Sequence, residues 1–190
     1  QNLGVFFGLI LAHDLVPDPT VRVEAGRRIR QILDYLIAHD WLIDEDRASF
    51  DGSTRTGFPT FWTGSVQKLA FLLMGNRVAP GHYTNELAAA GPLASTLWFG
   101  AWTSATGLSS YYKYNLGHVT MFNYFRMETD PWRWQEAHRA YRIMERYVGH
   151  HRNAHFDLIQ TSIDPQTRGE LFPSVRESMR RFLDRNHREV

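Results

Sequence analysis

The chain has 190 residues, of which 43% are hydrophobic and 14% aromatic, so it can bury a sizeable core. Its formal net charge of +1 gives no general attraction to nucleic acid or to anionic membranes, and we expect no nucleic-acid partner. The absence of cysteine excludes disulfides and thiolate metal ligands. The most apolar segments, residues 3–15 and 69–74, are shorter than the roughly 18–20 residues of a membrane span, so none is expected.

Three Asp-Pro pairs divide the chain, at Asp18-Pro19, Asp130-Pro131 and Asp164-Pro165. Aspartate caps helix N-termini and proline fits the first helical position, so each pair predicts the start of a helix. Each pair follows an apolar segment and opens a more polar one. The sequence therefore predicts a repeated unit, in which a buried helix turns through an Asp-Pro corner into a surface helix.

In chain order, residues 3–15 come first and are apolar on every side, which predicts a helix that is buried all round. Residues 20–38 are apolar on one face only, which predicts a surface helix. A long polar loop is then predicted over residues 40–59, with a small hairpin that turns at Asp51-Gly52.

The rest of the chain continues this alternation. Residues 60–74 and 109–127 are apolar nearly all round, whereas residues 131–149 are apolar on one face. The first of these helices is predicted to stop at Gly75-Asn76. Further helices are predicted over residues 85–102, with a break at Gly91-Pro92, over residues 154–163, and after Asp164-Pro165. The result is an all-α fold of about eight helices in four hairpins, each with an inner and an outer helix.

Several segments carry a resemblance to a known type of protein. They are Gln1-Asn2-Leu3-Gly4-Val5-Phe6-Phe7-Gly8, then Tyr114-Asn115-Leu116-Gly117-His118 with Met127-Glu128-Thr129-Asp130-Pro131, and His151-Arg152-Asn153-Ala154-His155-Phe156. In these segments the chain resembles (α/α) toroid proteins of the six-hairpin glycosidase-like type, in particular bacterial members of uncharacterised role. The resemblance implies a single domain over residues 1–190 that forms about four of the six hairpins of an inner/outer ring.

The resemblance also implies that this chain is the C-terminal part of a longer protein. Gln1 starts inside a predicted buried helix, so we expect a missing N-terminal segment that supplies the remaining hairpins. Export or a periplasmic location would require a signal peptide in that segment, and the sequence leaves the compartment open.

In a helical ring, the connections from outer to inner helices emerge on one rim, around the mouth of the central cavity. Here those connections are longer than the Asp-Pro corners and two of them are rich in polar and aromatic residues. The predicted substrate-binding residues at this rim are Asn2, Arg55, Trp62, Asn115 and Asn153. Aromatic rings cover the apolar faces of a sugar and polar groups pair with its hydroxyls, although such aromatics also serve as core.

Four residues are the predicted catalytic groups. Asp51 and Asp157 are the candidate carboxylates of a glycosidase, which needs two such groups about 5–10 Å apart. Asp51 before Gly52 also suits a plain turn, and Asp157 also suits the first turn of a helix. Tyr112 and His118 form the candidate acid/base pair of a polysaccharide lyase if His118 reaches the cavity. The alternative is that His118 is a buried, hydrogen-bonded imidazole.

The sequence gives little support for a metal site or a cofactor site. His151 and His155 are four residues apart, but without a His-Glu-x-x-His motif the spacing is a weak signal, and we expect no metal. The chain has no phosphate-binding glycine loop, no Gly-x-Ser-x-Gly elbow and no dinucleotide fingerprint, so we expect no cofactor. His13-Asp14 falls near the corner end of its helix and is interpreted as structural.

Two functions remain as hypotheses. The first is a carbohydrate-active toroid protein, a glycoside hydrolase or polysaccharide lyase, with a saccharide ligand at the loop-rich rim. The alternative is a non-catalytic helical scaffold or binding module. A solvent-lined cavity with two facing carboxyl groups would favour the first, and a cavity filled by Phe, Tyr and Leu would favour the second.

Overall fold

A computed structural model describes residues 2–44, 55–57, 63–90, 111–148 and 153–186 of the chain, and these contain eight α-helices. They are α1 (Asn2–Leu15), α2 (Pro19–Ala38), α3 (Thr63–Val78), α4 (Thr84–Ala90), α5 (Tyr111–Met127), α6 (Pro131–Val148), α7 (Ala154–Ile163) and α8 (Arg168–Asn186). A 3₁₀ turn, Pro165–Thr167, joins α7 to α8. The prediction of an all-α fold is confirmed, and no described helix is both long and apolar enough to cross a bilayer.

A short pair of strands interrupts the helices between α2 and α3. Strand β1 (Leu42–Asp44) pairs antiparallel with strand β2 (Arg55–Gly57), and Ile43 lies opposite Thr56. This pairing agrees with the small hairpin predicted in the polar loop. The turn predicted at Asp51 lies outside the described residues.

The three Asp-Pro pairs cap helices as predicted. The Oδ1 atoms of Asp18, Asp130 and Asp164 accept hydrogen bonds from the backbone N–H groups of Thr20, Arg133 and Gln166, at 2.8, 2.9 and 3.2 Å. Caps of this kind contribute about 1 kcal/mol each to helix stability. The sharp corners between successive helices therefore have a local cause in the sequence.

The burial pattern separates two kinds of helix. In α3 every residue from 69 to 74 is buried, although successive residues point in all directions around a helix. In α2 and α6, by contrast, the buried positions form one stripe, namely Ala25, Ile29, Leu33 and Leu36 in α2 and Ala137, Ala140, Tyr141 and Met144 in α6. The predicted contrast between buried and surface helices therefore holds for these elements.

Helix α1 departs from the prediction. It buries Leu3, Phe6 and Ile10, but Val5 is 48% exposed and Leu15 is 68% exposed. The expectation of a helix buried all round is therefore wrong. The physical reason is that the described helices that contact α1, namely α2, α3 and α5, leave one of its sides open to solvent.

The end of α3 also differs from the prediction. The helix continues to Val78, three residues beyond the predicted stop at Gly75. Gly75 therefore lies inside the helix. A Cβ at this position would collide with the side chains of Leu33 and Tyr83, so glycine is what allows these side chains to approach the helix so closely. Tyr83 is buried against α2 and its hydroxyl donates to Asp34 Oδ1 at 2.7 Å. The glycine therefore marks a close approach between elements rather than a helix end.

Three helices meet at the centre of the described structure, and we call α1, α3 and α5 the inner helices. Each of them contacts the other two. Phe6 stacks on Phe71 with ring centroids 4.0 Å apart, and Phe7 meets Phe122 edge-on at 5.8 Å. Aromatic side chains thus fill the space where the inner helices approach one another.

The inner helices share a feature at their C-terminal ends, where each has a basic residue in its last turn: His13, Arg77 and Arg126. Asp14 lies among them. Its Oδ2 accepts from Arg126 Nη2 at 3.0 Å, and its Oδ1 is 2.9 Å from His13 Nδ1 and 3.6 Å from Arg77 Nε. Cations there compensate the negative end of each helix dipole, which agrees with the structural interpretation of His13-Asp14.

Candidate functional site

The structure describes only some of the predicted site residues. Asp51 and Trp62 lie outside the described residues, as do the side chains of Asn2, Arg55 and Tyr112. The predicted gathering of these groups on one rim, and the pairing of Tyr112 with His118, therefore stay predictions.

Two of the predicted ligand-binding residues are described. Asn115 is exposed on α5. Asn153 is the N-cap of α7, where its Oδ1 accepts from the backbone N–H of His155 at 2.9 Å. Because this oxygen is used to cap the helix, the geometry of Asn153 shows a structural role.

For Asp157 the structure agrees with the second interpretation given above, a carboxylate in the first turn of a helix. It lies in the first turn of α7 and is only 3% exposed. A carboxylate there interacts favourably with the positive end of the helix dipole. Its burial keeps it off the solvent-lined surface that a saccharide would contact.

His118 is fully buried in α5 and both of its ring nitrogens are engaged. Nδ1 lies 2.8 Å from the carbonyl oxygen of Tyr114, and Nε2 lies 2.7 Å from Oε1 of Glu145 on α6. The imidazole also stacks on Phe156 of α7, with ring centroids 4.0 Å apart. The buried, hydrogen-bonded state given above as the alternative for His118 is therefore the one observed.

The hydrogen bonds of His118 limit where its protons can lie. A backbone carbonyl can only accept, so Nδ1 carries a hydrogen. The short contact between Nε2 and Glu145 then requires one further hydrogen, on either the imidazole or the carboxyl group. The pair thus holds a proton between a buried ring and a carboxyl group that is 10% exposed.

Glu145 forms part of the floor of a surface groove of about 390 Å³ that runs between α6, α7 and α8. The groove is strongly polar, and its principal lining residues are His138, Tyr141, Arg142, Glu145, Asp164 and Glu170. We call it the α6–α8 groove. It combines three carboxyl groups with a histidine and two arginines, Arg142 and Arg146, and it differs from the rim site that the sequence predicted.

The electrostatics of the groove reflect partial burial. Burial lowers the pKa of His138, and the nearby Arg142 lowers it further, whereas Asp164 opposes the shift. Burial, followed by the charge of Glu145, raises the pKa of Tyr141 well above its usual range. At neutral pH both His138 and Tyr141 are therefore uncharged hydrogen-bonding groups.

Sequence reasoning missed Glu145 for an identifiable reason. It lies on an amphipathic helix whose acidic and basic residues are expected to face water, and its partner His118 is 27 residues away. The only local signal is its position next to the buried Met144 and one turn after the buried Tyr141.

No group of three or more histidine, cysteine, aspartate or glutamate residues among the described residues could hold a metal ion. The suggested pair of His151 with His155 cannot be placed, because His151 lies outside that part of the chain.

Comparison with known proteins does not assign the chain to a family. No protein-family model, no curated protein and no solved structure matches it. Function must therefore be argued from the groove and from the packing of the helices.

Proposed function

We propose that this chain is a carbohydrate-active toroid protein, a glycoside hydrolase or polysaccharide lyase, that binds a saccharide in the α6–α8 groove. The observation that carries the proposal is the pair formed by buried His118 and Glu145 at the groove floor. The proposed reaction class rests on this pair together with the further carboxyl groups of the groove.

The composition of the groove supports a hydroxyl-rich ligand. Carboxylates accept hydrogen bonds from sugar hydroxyls and arginines donate to them. Beside the groove, Trp134 stacks on His138 with ring centroids 5.0 Å apart, which fixes the orientation of the histidine. A groove of this volume lies within the roughly 300–1,000 Å³ range of small-ligand sites.

The proposed chemistry assigns Glu145 as the residue that transfers a proton. The proton that the short contact with Nε2 of His118 requires is available when the carboxyl group must act as an acid. Glu170 and Asp164 are the candidates for the second carboxyl group that glycoside hydrolysis requires. Because Asp164 also caps the 3₁₀ turn, we favour Glu170 for this role.

The test compares three glutamine variants on a panel of neutral and acidic polysaccharides, with release of reducing ends or unsaturated uronates as the measurement. Glu145→Gln and Glu170→Gln are each expected to lower kcat by about 100-fold or more. Glu177→Gln, which removes an exposed carboxylate paired with Arg181 on α8, is the matched control and should leave kcat unchanged.

Thermal unfolding of the same variants separates loss of chemistry from loss of folding. In the Glu145→Gln variant the new amide N–H can donate to Nε2 of the imidazole, so most of the fold should persist. Equal turnover by the wild type and both groove variants would refute the assignment of Glu145 and Glu170.

A second candidate function, a non-catalytic helical scaffold, is favoured by a different observation. The inner helices contact one another directly, and stacked Phe6 and Phe71 occupy the space that an open ring would leave for a ligand. If no saccharide in the panel is bound or cleaved, this second function becomes the better account of the structure.

A further inference from the structure

A second cavity, of about 510 Å³, lies where α3, α4 and the corner between α5 and α6 meet. One part of its wall is apolar and consists of Leu69, Leu73, Leu87 and Met127. Leu69, Leu73 and Met127 are themselves buried members of the core, so this wall is a fixed surface. The cavity is separate from the α6–α8 groove and shares no lining residue with it.

All the charged residues that line this cavity, within the described part of the chain, are arginines: Arg77, Arg126 and Arg133. We call it the arginine cavity. A pocket with only positive charges on its lining attracts anions, because low-dielectric walls concentrate the field.

The arginines pair with two carboxylates that are not part of the cavity lining. Glu128, whose side chain is 0% exposed, accepts from Arg133 Nε at 2.8 Å and from its Nη2 at 2.9 Å. Asp14, whose side chain is 9% exposed, serves both Arg126 and Arg77. The cavity lining therefore carries three arginines that pair with two carboxylates, which leaves one positive charge uncompensated by these partners.

One of the arginines also has a hydrogen-bond donor to spare. Nη1 of Arg126 has no hydrogen-bond partner among the described residues, but it is closed off from solvent and does not reach the cavity. Nε of Arg77 lies 3.6 Å from Asp14, which is beyond hydrogen-bond distance. Guanidinium donors in this state suit the paired oxygens of a carboxylate.

Compensation of helix dipoles explains only part of this arrangement. It accounts for a basic residue in the last turn of α3 and of α5. It does not explain the apolar wall that lines the cavity together with the arginines. A ligand with an anionic head and an apolar body would match both the arginines and this wall.

We propose that the arginine cavity binds a small organic carboxylate whose apolar body packs against Leu69, Leu73 and Met127. The head group is held by Arg77 and Arg126, and Arg133 adds positive charge at the mouth. This inference does not depend on saccharide binding in the α6–α8 groove.

The test uses octanoate as the probe, with 1-octanol and inorganic phosphate as comparisons, and measures binding by calorimetry at low ionic strength. Octanoate is expected to bind at least about tenfold more tightly than either comparison, because only octanoate combines the charge with the apolar body. Raising the salt concentration should weaken octanoate binding, since the cavity is partly open to solvent.

Variants locate the binding. Arg77→Gln is expected to weaken octanoate binding by about tenfold, the effect of losing one charge-assisted contact. Arg77 is largely exposed, so this variant should fold normally, and thermal unfolding checks that it does. The matched control is Arg181→Gln, an exposed arginine on α8, whose main contacts among the described elements are with α7 and the 3₁₀ turn.

Three outcomes would overturn the proposal. One is that 1-octanol binds as well as octanoate, which would mean a purely apolar site. Another is that phosphate binds as well as octanoate, which would mean a site for charge alone. The last is that Arg77→Gln leaves octanoate binding unchanged, or lowers it no more than Arg181→Gln does.

Discussion

At the scale of single residues, Glu128 shows how a carboxylate can be buried and still ionised. Burial alone would raise its pKa, but hydrogen bonds from Arg133, from the N–H of Asp130 and from the hydroxyl of Tyr124 outweigh burial and lower it. The folded chain therefore holds this group deprotonated more strongly than the unfolded chain does. By linkage, its contribution to stability is complete above the ordinary pKa of 4.5 and is lost as the pH falls below that value.

We expect Glu128→Gln to lower the free energy of unfolding at pH 7 by about 3 kcal/mol, because it leaves Arg133 without its bidentate partner. The variant should also lose less stability than the wild type between pH 4.5 and lower pH, since the titrating group is gone. Denaturant unfolding at several pH values measures both effects. Glu177→Gln, at an exposed ion pair, is the control, and similar losses in the two variants would contradict the prediction.

The residue scale also shows what a sequence can and cannot predict. Burial of His118 follows from its apolar neighbours in α5, and the sequence predicted that state as one of two alternatives. Its partner Glu145 could not be predicted, because the contact depends on how α5 and α6 pack. The charged set around Asp14 was missed as a site for the same reason, since its members come from three separate helices.

At the scale of helices, the corners were the most predictable feature. Aspartate and proline act on the backbone within three residues, so their effect does not depend on the rest of the fold. The end of α3 was less predictable. Glycine has two uses, to end a helix or to admit a close neighbour, and only the packing of Leu33 and Tyr83 against Gly75 decides between them.

Two glycines should therefore respond in opposite ways to the same substitution. Gly75→Ala should destabilise the protein by about 1–3 kcal/mol, because the new methyl group collides with Leu33 and Tyr83. Gly8→Ala should stabilise it by about 0.5–1 kcal/mol, because a Cβ at that exposed position in α1 meets no atom of the described residues within 4 Å. Thermal unfolding of the two variants provides the comparison, and stabilisation by Gly75→Ala would show that the packing around Gly75 is looser than described.

At the scale of the whole molecule, the sequence predicted alternating inner and outer helices but not how the inner ones meet. Apolar periodicity reports how much of a helix is buried, not which neighbour buries it. The direct contact of α1 with α5 is therefore information that only the structure supplies. The arrangement of the hairpins as part of a ring remains a proposal drawn from the resemblance.

The packing predicts an uneven distribution of local stability. Helix α3 packs against α1, α2, α4 and α5, whereas the main contacts of α8 among the described elements are with α7 and the 3₁₀ turn. Amide hydrogens of α3 and α5 should therefore exchange only through near-global unfolding. Those of α8 should exchange through local opening, whose free energy is lower by about 2 kcal/mol or more. Native-state hydrogen exchange followed by mass spectrometry measures this difference. Equal protection of α3 and α8 would mean that α8 is held by contacts beyond those described.

The buried phenol groups set an upper limit to the pH range in which the fold keeps its full stability. Burial first, and then the neighbouring carboxylates, raise the pKa values of Tyr83, Tyr124 and Tyr141 above the ordinary value of 10.0. Above about pH 10 the unfolded chain releases phenolic protons that the folded chain retains, so stability is complete below that pH and declines above it. Because only Lys68 and Lys113 among the 21 basic residues are lysines, most cations keep their charge through this range. The loss of stability in strong base should therefore come chiefly from ionisation of the tyrosines.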